Sequence, residues 1–540
     1  MISLLWRDTA PRERLSHTTW EDDLTLTPLV QAISGGGRHA SFTRSVLVGL
    51  CTDPQTITYR QDVLADLLRL PVLAARLEQL LPQFASLAQN SRWAEEGGVF
   101  QIAARLSELD LYVSAVQSLL ALLDEQQTKL QATGWLNLYA HMRGISESAE
   151  FQSLVNELPG LRTQIERAGG VKLGINLDTQ LRPESATLLG FTASRFSGPH
   201  TLLGRLFGGE RESQSGVTPL RHADERQTFG PDRQLFRDLS HLLEEVTAPI
   251  AAILSRCVKI HCGEMATLER ELAFYLGAAR LIGELQRAGH ALCRPTIAPQ
   301  HERVCQIAGA YNLELALRLH RQPATSEAAS VIVPNDVRFD GTGRVFVLTG
   351  PNRGGKTTFT RAIGLIQALS QAGLHVPGCT AWISPVDAIF TLFPAAERAQ
   401  TGMGRLDEEA AQLATLFRQA TPHSLVLLNE PLNSTSPAEA LGIARDVLCG
   451  LRMLGVRAIL VTHLHDLAHE AETLNTMVSG DSRIGSLVAG IAADSADSAT
   501  RTYRILPSTP VNRSYAADIA LQHGLHLDQI VNTLRERGYK

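Results

Sequence analysis

The residues with the plainest chemical capacity lie between Gly350 and Thr358. Gly350-Pro351-Asn352-Arg353-Gly354-Gly355-Lys356-Thr357 fits the pattern G-x-x-x-x-G-K-[ST], with Thr358 following. Glycines let backbone N–H groups curl around phosphate oxygens where a side chain would block the approach. The Lys356 ammonium can reach the β- and γ-phosphates of a nucleotide, and the Thr357 hydroxyl can ligate Mg²⁺. The chain has five lysines, at 129, 172, 259, 356 and 540, so one placed here stands out. The pattern predicts an ATP site that uses Mg²⁺.

Two further segments supply what phosphate chemistry needs besides a cradle. Leu425-Val426-Leu427-Leu428-Asn429-Glu430 is an apolar run that ends where an acid pair is usual. Asn429 takes the first place, where an amide accepts from metal-bound water without carrying charge, so Mg²⁺ binding is expected to be weaker and turnover slow. Glu430 keeps the second place and is the expected general base. Val461-Thr462-His463 ends a third apolar run, and His463 is placed to sense a γ-phosphate.

These groups need a scaffold that brings strand ends together. Val345–Leu348, Leu425–Leu428 and Ala458–Val461 are short and continuously apolar, as in strands buried on both faces of a parallel sheet. The first 300 residues are expected to be mostly helical. Leu106, Leu109, Val113, Val116, Leu120 and Leu123 keep one seam on a helix, and a similar stripe runs from Val63 to Leu81 with Pro71 and Pro82 as punctuation. A further helical stretch is expected over about 231–292. Val171–Leu177 and Ala186–Thr192 are rich in strand formers and flank a turn-like linker, so they predict a hairpin inserted among the helices. Residues 198–230 read as a long mobile loop. Seven Arg against five acids between Arg195 and Arg237 permit contact with a phosphate backbone, although a solvated surface explains the same mixture. The Gly35-Gly36-Gly37 run lacks a following Lys-Ser/Thr and reads as a loop.

Composition sets outer limits. With 44% hydrophobic and 19% charged residues the chain is neither disordered nor collagen-like. A net charge of -5 excludes a globally basic nucleic-acid binder but leaves room for a local patch. The seven cysteines are scattered, without C-x-x-C, which favours a reducing, cytoplasmic setting over a disulfide framework or zinc site. The first residues lack the apolar core of a signal peptide. The uncharged stretch 362–386 carries Gln367, Gln371, His375, Pro377 and Pro385, and so predicts a buried helix and strand instead of a membrane span.

Taken together these segments resemble the MutS mismatch-repair ATPase family. TGPNRGGKTTFTRAIG resembles its phosphate loop, including Pro351 and Asn352, and Val333–Val337 (VPNDV, with Asn335) resembles a segment near the adenine. VLLNEPLNSTS resembles the acidic strand and its Ser/Thr-rich turn at Ser434, Thr435 and Ser436, and VTHLHDL the His switch at His463. Asn512–Ala520 resembles the helical segment that packs two ATPase domains together, and the helical half with its hairpin resembles the lever and clamp.

The resemblance implies an α/β plus all-α protein: a C-terminal P-loop ATPase with a parallel-sheet core, and an N-terminal long-helix lever and clamp region with an inserted β-hairpin. The expected domains are 1–165 (helical core and lever), 166–235 (hairpin and loop, clamp-like), 236–310 (returning lever helices) and 311–540 (ATPase with a helical dimerisation segment). It implies a homodimer with composite sites, to which Gly402–Glu409 adds groups in trans: Gly404, Arg405 and Glu409. A serine usual near Gly404 is missing; Arg405 is the candidate substitute donor, although an ordinary surface arginine explains it better. No F-x-E wedge occurs, and no nuclease module is expected after residue 530, so the expectation is a short member without mismatch reading by base contact. The expected partner is DNA, duplex or branched, with low sequence specificity, and no membrane. Balanced charge also permits a switch acting on protein or ribonucleoprotein, and Asn429 with Gly404 permits a nucleotide-binding scaffold with little turnover.

Overall fold

The computed structural model describes residues 2–7, 20–90, 99–166, 170–177, 179–180, 183–192, 263–320, 332–394, 405–492, 500–510 and 524–538. The chain divides by internal contacts into two units, Met1–Leu4 with Leu70–Ala273, and Leu5–Arg69 with Phe274–Lys540. Their boundaries lie at 69/70 and 273/274, and the first 70 residues go largely with the C-terminal unit.

Among the described residues four helices precede the first boundary: α1 (Trp20–Asp23), α2 (Thr27–Ser34), α3 (Ala40–Val48) and α4 (Pro54–Arg69). The glycine run falls in the turn after α2, where Gly35 takes φ 68° as the left-handed cap. Then come α5 (Pro71–Asn90), α6 (Val99–Gln126), α7 (Thr133–Glu147) and α8 (Ala149–Glu166). Pro71 opens α5, as a proline can at a first turn, but Pro82 lies inside that helix instead of ending it. The predicted seam is found: Leu106, Leu109, Val113, Val116 and Leu123 are all buried. Tyr112 of α6 meets Phe151 of α8 edge to face at 6.0 Å. Residues Leu106–Lys129 form the one helix among those described that is long and apolar enough to cross a membrane by length and composition. Within its unit α6 packs against α5, α7 and α8. β1 (Gly170–Leu177) and β2 (Pro183–Thr192) form the antiparallel hairpin, with Gly170 opposite Thr192. The expected loop over 198–230 and its arginines lie outside the described residues, as does the first half of the helical stretch over 231–292; its second half is helix α9 over 263–287. A buried acid must find donors: Glu271, in the same unit, accepts from Ser3 Oγ at 2.5 Å and Leu4 N at 2.7 Å.

The C-terminal unit continues with β3 (Leu292–Cys293), β4 (Thr296–Ile297), β5 (Cys305–Ala310), α10 (Leu313–His320), β6 (Asn335–Phe339), β7 (Val345–Thr349), α11 (Lys356–Gln371), β8 (Val376–Pro377), β9 (Thr380–Ile383) and β10 (Ile389–Leu392). It ends with α12 (Arg405–Gln419), β11 (Leu425–Asn429), α13 (Pro437–Leu454), β12 (Arg457–Val461), α14 (His465–His469), α15 (Ala471–Met477), β13 (Ile484–Ala492), β14 (Thr500–Pro507) and α16 (Leu527–Glu536). The main sheet has the order β10-β11-β12-β7-β13-β14, parallel except for β14 at one edge. A second sheet, β4-β9-β5-β6, lies in the same unit.

Every residue of β11 and β12 is buried, which is why those strands are apolar without alternation. On one face Val426, Leu428, Ala458 and Leu460 share a core with Leu413 and Leu416 of α12 and Val447, Leu448 and Leu451 of α13. On the other face α11 approaches closely: a Cβ on Gly364 would lie 3.0 Å from Leu427 Cδ1 and 2.3 Å from Leu24 Cδ1. α11 is therefore covered twice, by the sheet and by α1–α4. Its polar residues are tied accordingly: Gln371 Nε2 donates to Cys51 O at 2.9 Å and Val386 O at 2.8 Å. Arg60 of α4 is 1% exposed and donates to Leu5 O at 2.9 Å and Gln371 O at 3.1 Å, with Trp6 against its guanidinium. This double burial explains the long uncharged stretch.

Candidate nucleotide site

Parallel pairing puts the C-terminal ends of β7, β11 and β12 side by side, with Leu348 opposite Val461 and Asn429 opposite Val461. The loops that leave those ends meet in one crevice, the usual ligand position of an open α/β sheet. A cavity of about 510 Å³ opens there, lined by residues 351–359 with Asn335, Glu430 and Tyr503 among others. Gly350 takes φ 130°, and a Cβ on it would sit 2.8 Å from the Ala489 Cβ; Gly355 takes φ 91° as it caps α11. Both conformations require glycine. The loop's N–H groups and the N-terminus of α11 thus form a cradle for anions.

Each predicted side chain has a definite partner. Lys356 is 5% exposed, and its Nζ donates to Gly350 O at 2.7 Å and Pro351 O at 3.2 Å, both within its own loop. Burial depresses the Lys356 pKa, and nearby Glu430 partly offsets this. Thr357 Oγ1 donates to Asn429 Oδ1 at 3.0 Å, so the two expected Mg²⁺-side residues are in contact. Glu430 Oε1 lies 2.9 Å from His463 Nε2, and Glu430 Oε2 accepts from Asn433 Nδ2 at 3.2 Å. The His463 bond is the main reason that the Glu430 carboxyl titrates below its ordinary value, against the opposing effect of burial. Thr358 contributes its carbonyl, which accepts from Asn312 Nδ2 at 3.1 Å. Asn335 lines the cavity, but its amide is engaged with β14: Nδ2 donates to Tyr503 O at 3.0 Å and Oδ1 accepts from Ile505 N at 2.7 Å.

The trans-site expectations fare differently. Gly404 and the segment Asn512–Ala520 lie outside the described residues, and Arg405 is the first residue of α12. Glu409 is 9% exposed and accepts from Leu432 N at 2.7 Å, so it serves its own chain's loop after β11.

Sequence reasoning did not find Tyr311, Asn312 and Tyr503. Tyr503 lies on β14, about 150 positions beyond the phosphate loop; it is 46% exposed at φ 54°, its ring within 3.6 Å of where a Gly355 Cβ would sit. Its only local signal is an aromatic in a strand-like run. Tyr311 Oη is a buried hydroxyl in the cavity wall that has no hydrogen-bond partner among the described residues. An orphaned donor, a glycine cradle and a buried lysine together fit a polyphosphate with an attached ring. The Thr357 hydroxyl and Asn429 amide are hard oxygen donors, which fit Mg²⁺.

Comparison with known proteins agrees with this geometry. Residues 52–288 match the family model of the MutS2 N-terminal domain, and residues 346–536 match MutS domain V. A DNA mismatch repair protein MutS from Granulibacter bethesdensis is 27% identical over 487 residues, 82% of this chain and 48% of that protein. A DNA mismatch repair protein MutS 2 from Halobacterium salinarum is 37% identical over 155 residues, 28% of this chain and 18% of that protein. A MutS from Chlorobium phaeobacteroides is 31% identical over 250 residues, 46% and 26% of the two chains. The chain thus spans less than half the length of these curated relatives. Two family models in consecutive order, the second covering the phosphate loop, Asn429, Glu430 and His463, make this chain a member of the MutS family.

Proposed function

We propose that the protein is an ATPase that works as an ATP-dependent DNA-binding clamp or switch, active as a homodimer on mismatched, branched or distorted DNA. The observation that carries the reading is the meeting, at one end of a parallel sheet, of the cradled Lys356, the Thr357–Asn429 pair and the Glu430–His463 pair. In this reading the loop N–H groups and Lys356 bind the β- and γ-phosphates once Lys356 leaves its own carbonyls. Glu430 accepts a proton from the attacking water as its oxygen joins the γ-phosphorus and the bond to the β–γ bridging oxygen breaks, leaving ADP. His463 orients Glu430 and senses the γ-phosphate. Thr357 and Asn429 would hold Mg²⁺, which when bound neutralises charge on the phosphates. Tyr503 offers a face for the base.

In this reading residues 70–165 and 236–273 act as core and lever and 166–235 as the clamp, while Leu5–Arg69 and residues 274–310 share one unit with the ATPase of 311–540. The family's helical half supports DNA as ligand, read by shape and phosphates. ATP then shifts the clamp between two states of different DNA affinity.

The test is steady-state ATP hydrolysis by the purified protein alone and with homoduplex, mismatched duplex or a four-way junction. Glu430→Ala is the control and should lose at least a hundredfold in turnover while still binding ATP. Stimulation that depends on DNA shape is expected. ATP binding without turnover or DNA response refutes the clamp. The neutral Asn429 favours a second reading, a slow nucleotide-binding switch or scaffold, and that outcome would select it.

A further inference from the structure

We propose that Glu409 is a positioning residue for Glu430 of its own subunit, and not a group offered to a partner's nucleotide. The proposal rests on the ATPase reading above. Glu409, Leu413 and Leu416 recur at i, i+4 and i+7 on α12, so they share its inward face. Leu413 and Leu416 join the core that also holds Leu428 and Leu432. A carboxylate on that face is costly unless it is hydrogen-bonded.

It accepts from the backbone N–H of Leu432, 2.7 Å away and buried. Leu432 is at φ 66° and Glu430 at φ 51°. Left-handed backbone is strained for an L residue and persists only where the surroundings over-determine it. The surroundings here are specific. The Leu432 side chain is 2% exposed, Glu430 N donates to Val461 O at 2.9 Å, and Glu409 holds the N–H of Leu432 between them. The next residue, Asn433, donates to Glu430 Oε2 at 3.2 Å. Glu409 thus pins the strained turn from which Asn433 steadies the base, without itself lining the nucleotide cavity. Without the pin the turn relaxes, Asn433 moves off, and the Glu430 carboxylate is left to His463 alone among these two side chains. A displacement of about 1 Å at a reacting group can cost a hundredfold in rate.

The experiment uses the full chain: ATP turnover and equilibrium binding of a fluorescent non-hydrolysable ATP analogue, for wild type, Glu409→Ala, Glu409→Gln, Asn433→Ala, the Glu409→Ala/Asn433→Ala double variant and Glu430→Ala. Glu409→Ala should lower kcat ten- to a hundredfold with KM for ATP and analogue affinity within twofold. Glu409→Gln keeps an oxygen acceptor and should recover to within threefold of wild type. The double variant should lose no more than the worse single variant, since both act through one carboxylate. If Glu409→Ala does not fold, Glu409→Asp, which withdraws the carboxylate by one methylene, must show the same loss confined to kcat. A loss of analogue affinity or of dimer with kcat intact would instead mean a trans contact and overturn the proposal. So would full activity in Glu409→Ala, or a Gln variant as slow as the Ala variant. Absence of ATP turnover in the wild type would overturn the ATPase reading itself, whereas an inactive Glu430→Ala beside a fully active Glu409→Ala sinks only the positioning role.

Discussion

Replacing Asn429 by Asp restores the carboxylate usual at that strand end, and the structure says what this costs without nucleotide. Asn429 is 5% exposed, its Oδ1 accepts from Thr357 Oγ1 at 3.0 Å, and Glu430 follows it directly. Asn429→Asp keeps the acceptor and adds a buried negative charge beside another carboxylate. An uncompensated buried charge costs about 3–5 kcal/mol, and a charge-assisted bond from Thr357 returns about 1.5–3. A net loss of about 2 kcal/mol should lower the melting temperature of this unit by roughly 3 °C. The sign follows from linkage. Burial raises the new carboxyl's folded pKa above its unfolded value, so the folded state binds more protons. The penalty is therefore small near pH 4 and complete by pH 8. A divalent cation reverses it, so Mg²⁺ with ATP should stabilise Asn429→Asp by about 1–2 kcal/mol more than wild type, equivalent to about five- to thirtyfold tightening. Thermal melts at pH 5 to 8, in EDTA and then with Mg²⁺ and a non-hydrolysable ATP analogue, read both effects. Identical melting of the two proteins in EDTA at pH 8, or equal stabilisation by the magnesium nucleotide, would refute the placement of Asn429 beside the metal.

Other expectations come from single contacts. His463→Ala removes the bond that most lowers the Glu430 carboxyl, so the acid limb of kcat against pH should move upward; an unmoved limb means that His463 does not tune the base. Asp340, between β6 and β7, accepts from Thr342 N and Oγ1 at 2.8 and 2.6 Å. Against the effect of burial, bonds from Thr342 and Arg338 hold its pKa down to about 2. Asp340→Asn should therefore cost about 1–2 kcal/mol near pH 6. Since the folded pKa lies below the unfolded one, the wild-type advantage should fade as pH drops from about 4 toward 2, which urea melts at several pH values would show. Gly277→Ala would put a Cβ 1.9 Å from Ile33 O, a backbone clash that should cost about 3 kcal/mol or more, visible as a lower melting temperature or insolubility.

The phosphate loop and the three core strands were legible because each stands in a local pattern. β7, β11 and β12 begin and end within about one residue of the apolar runs that marked them. The α6 seam and the β1–β2 hairpin were legible for the same reason, since periods of 3.6 and 2 survive without tertiary information. Pro82 misled because a helix packed on a neighbouring helix can absorb one lost hydrogen bond. Tyr503 and the inward turn of Glu409 were hidden for a different reason. Each depends on a chain crossing, β14 beside the phosphate loop and α12 against the turn after β11, and no local window contains both partners. Asn335 was found by resemblance, yet its amide serves the β6–β14 junction, a use that the motif does not encode.

The membership of Leu5–Arg69 in the C-terminal unit bears on the order of synthesis. On the ribosome, α1–α4 emerge first, and the surface that α4 needs, around Gln371, follows some 300 residues later. Until then Arg60 lacks its Gln371 carbonyl, α2 lacks α10 and α3 lacks α11. The intervening unit, Leu70–Ala273, can close in the meantime because its helices α5–α8 are sequential neighbours. Nascent chains stalled before α11 should therefore offer α1–α4 to chaperones and proteases. A fragment cut to begin at the phosphate-loop domain would leave α11 bare along the face that Leu24 and Arg60 cover.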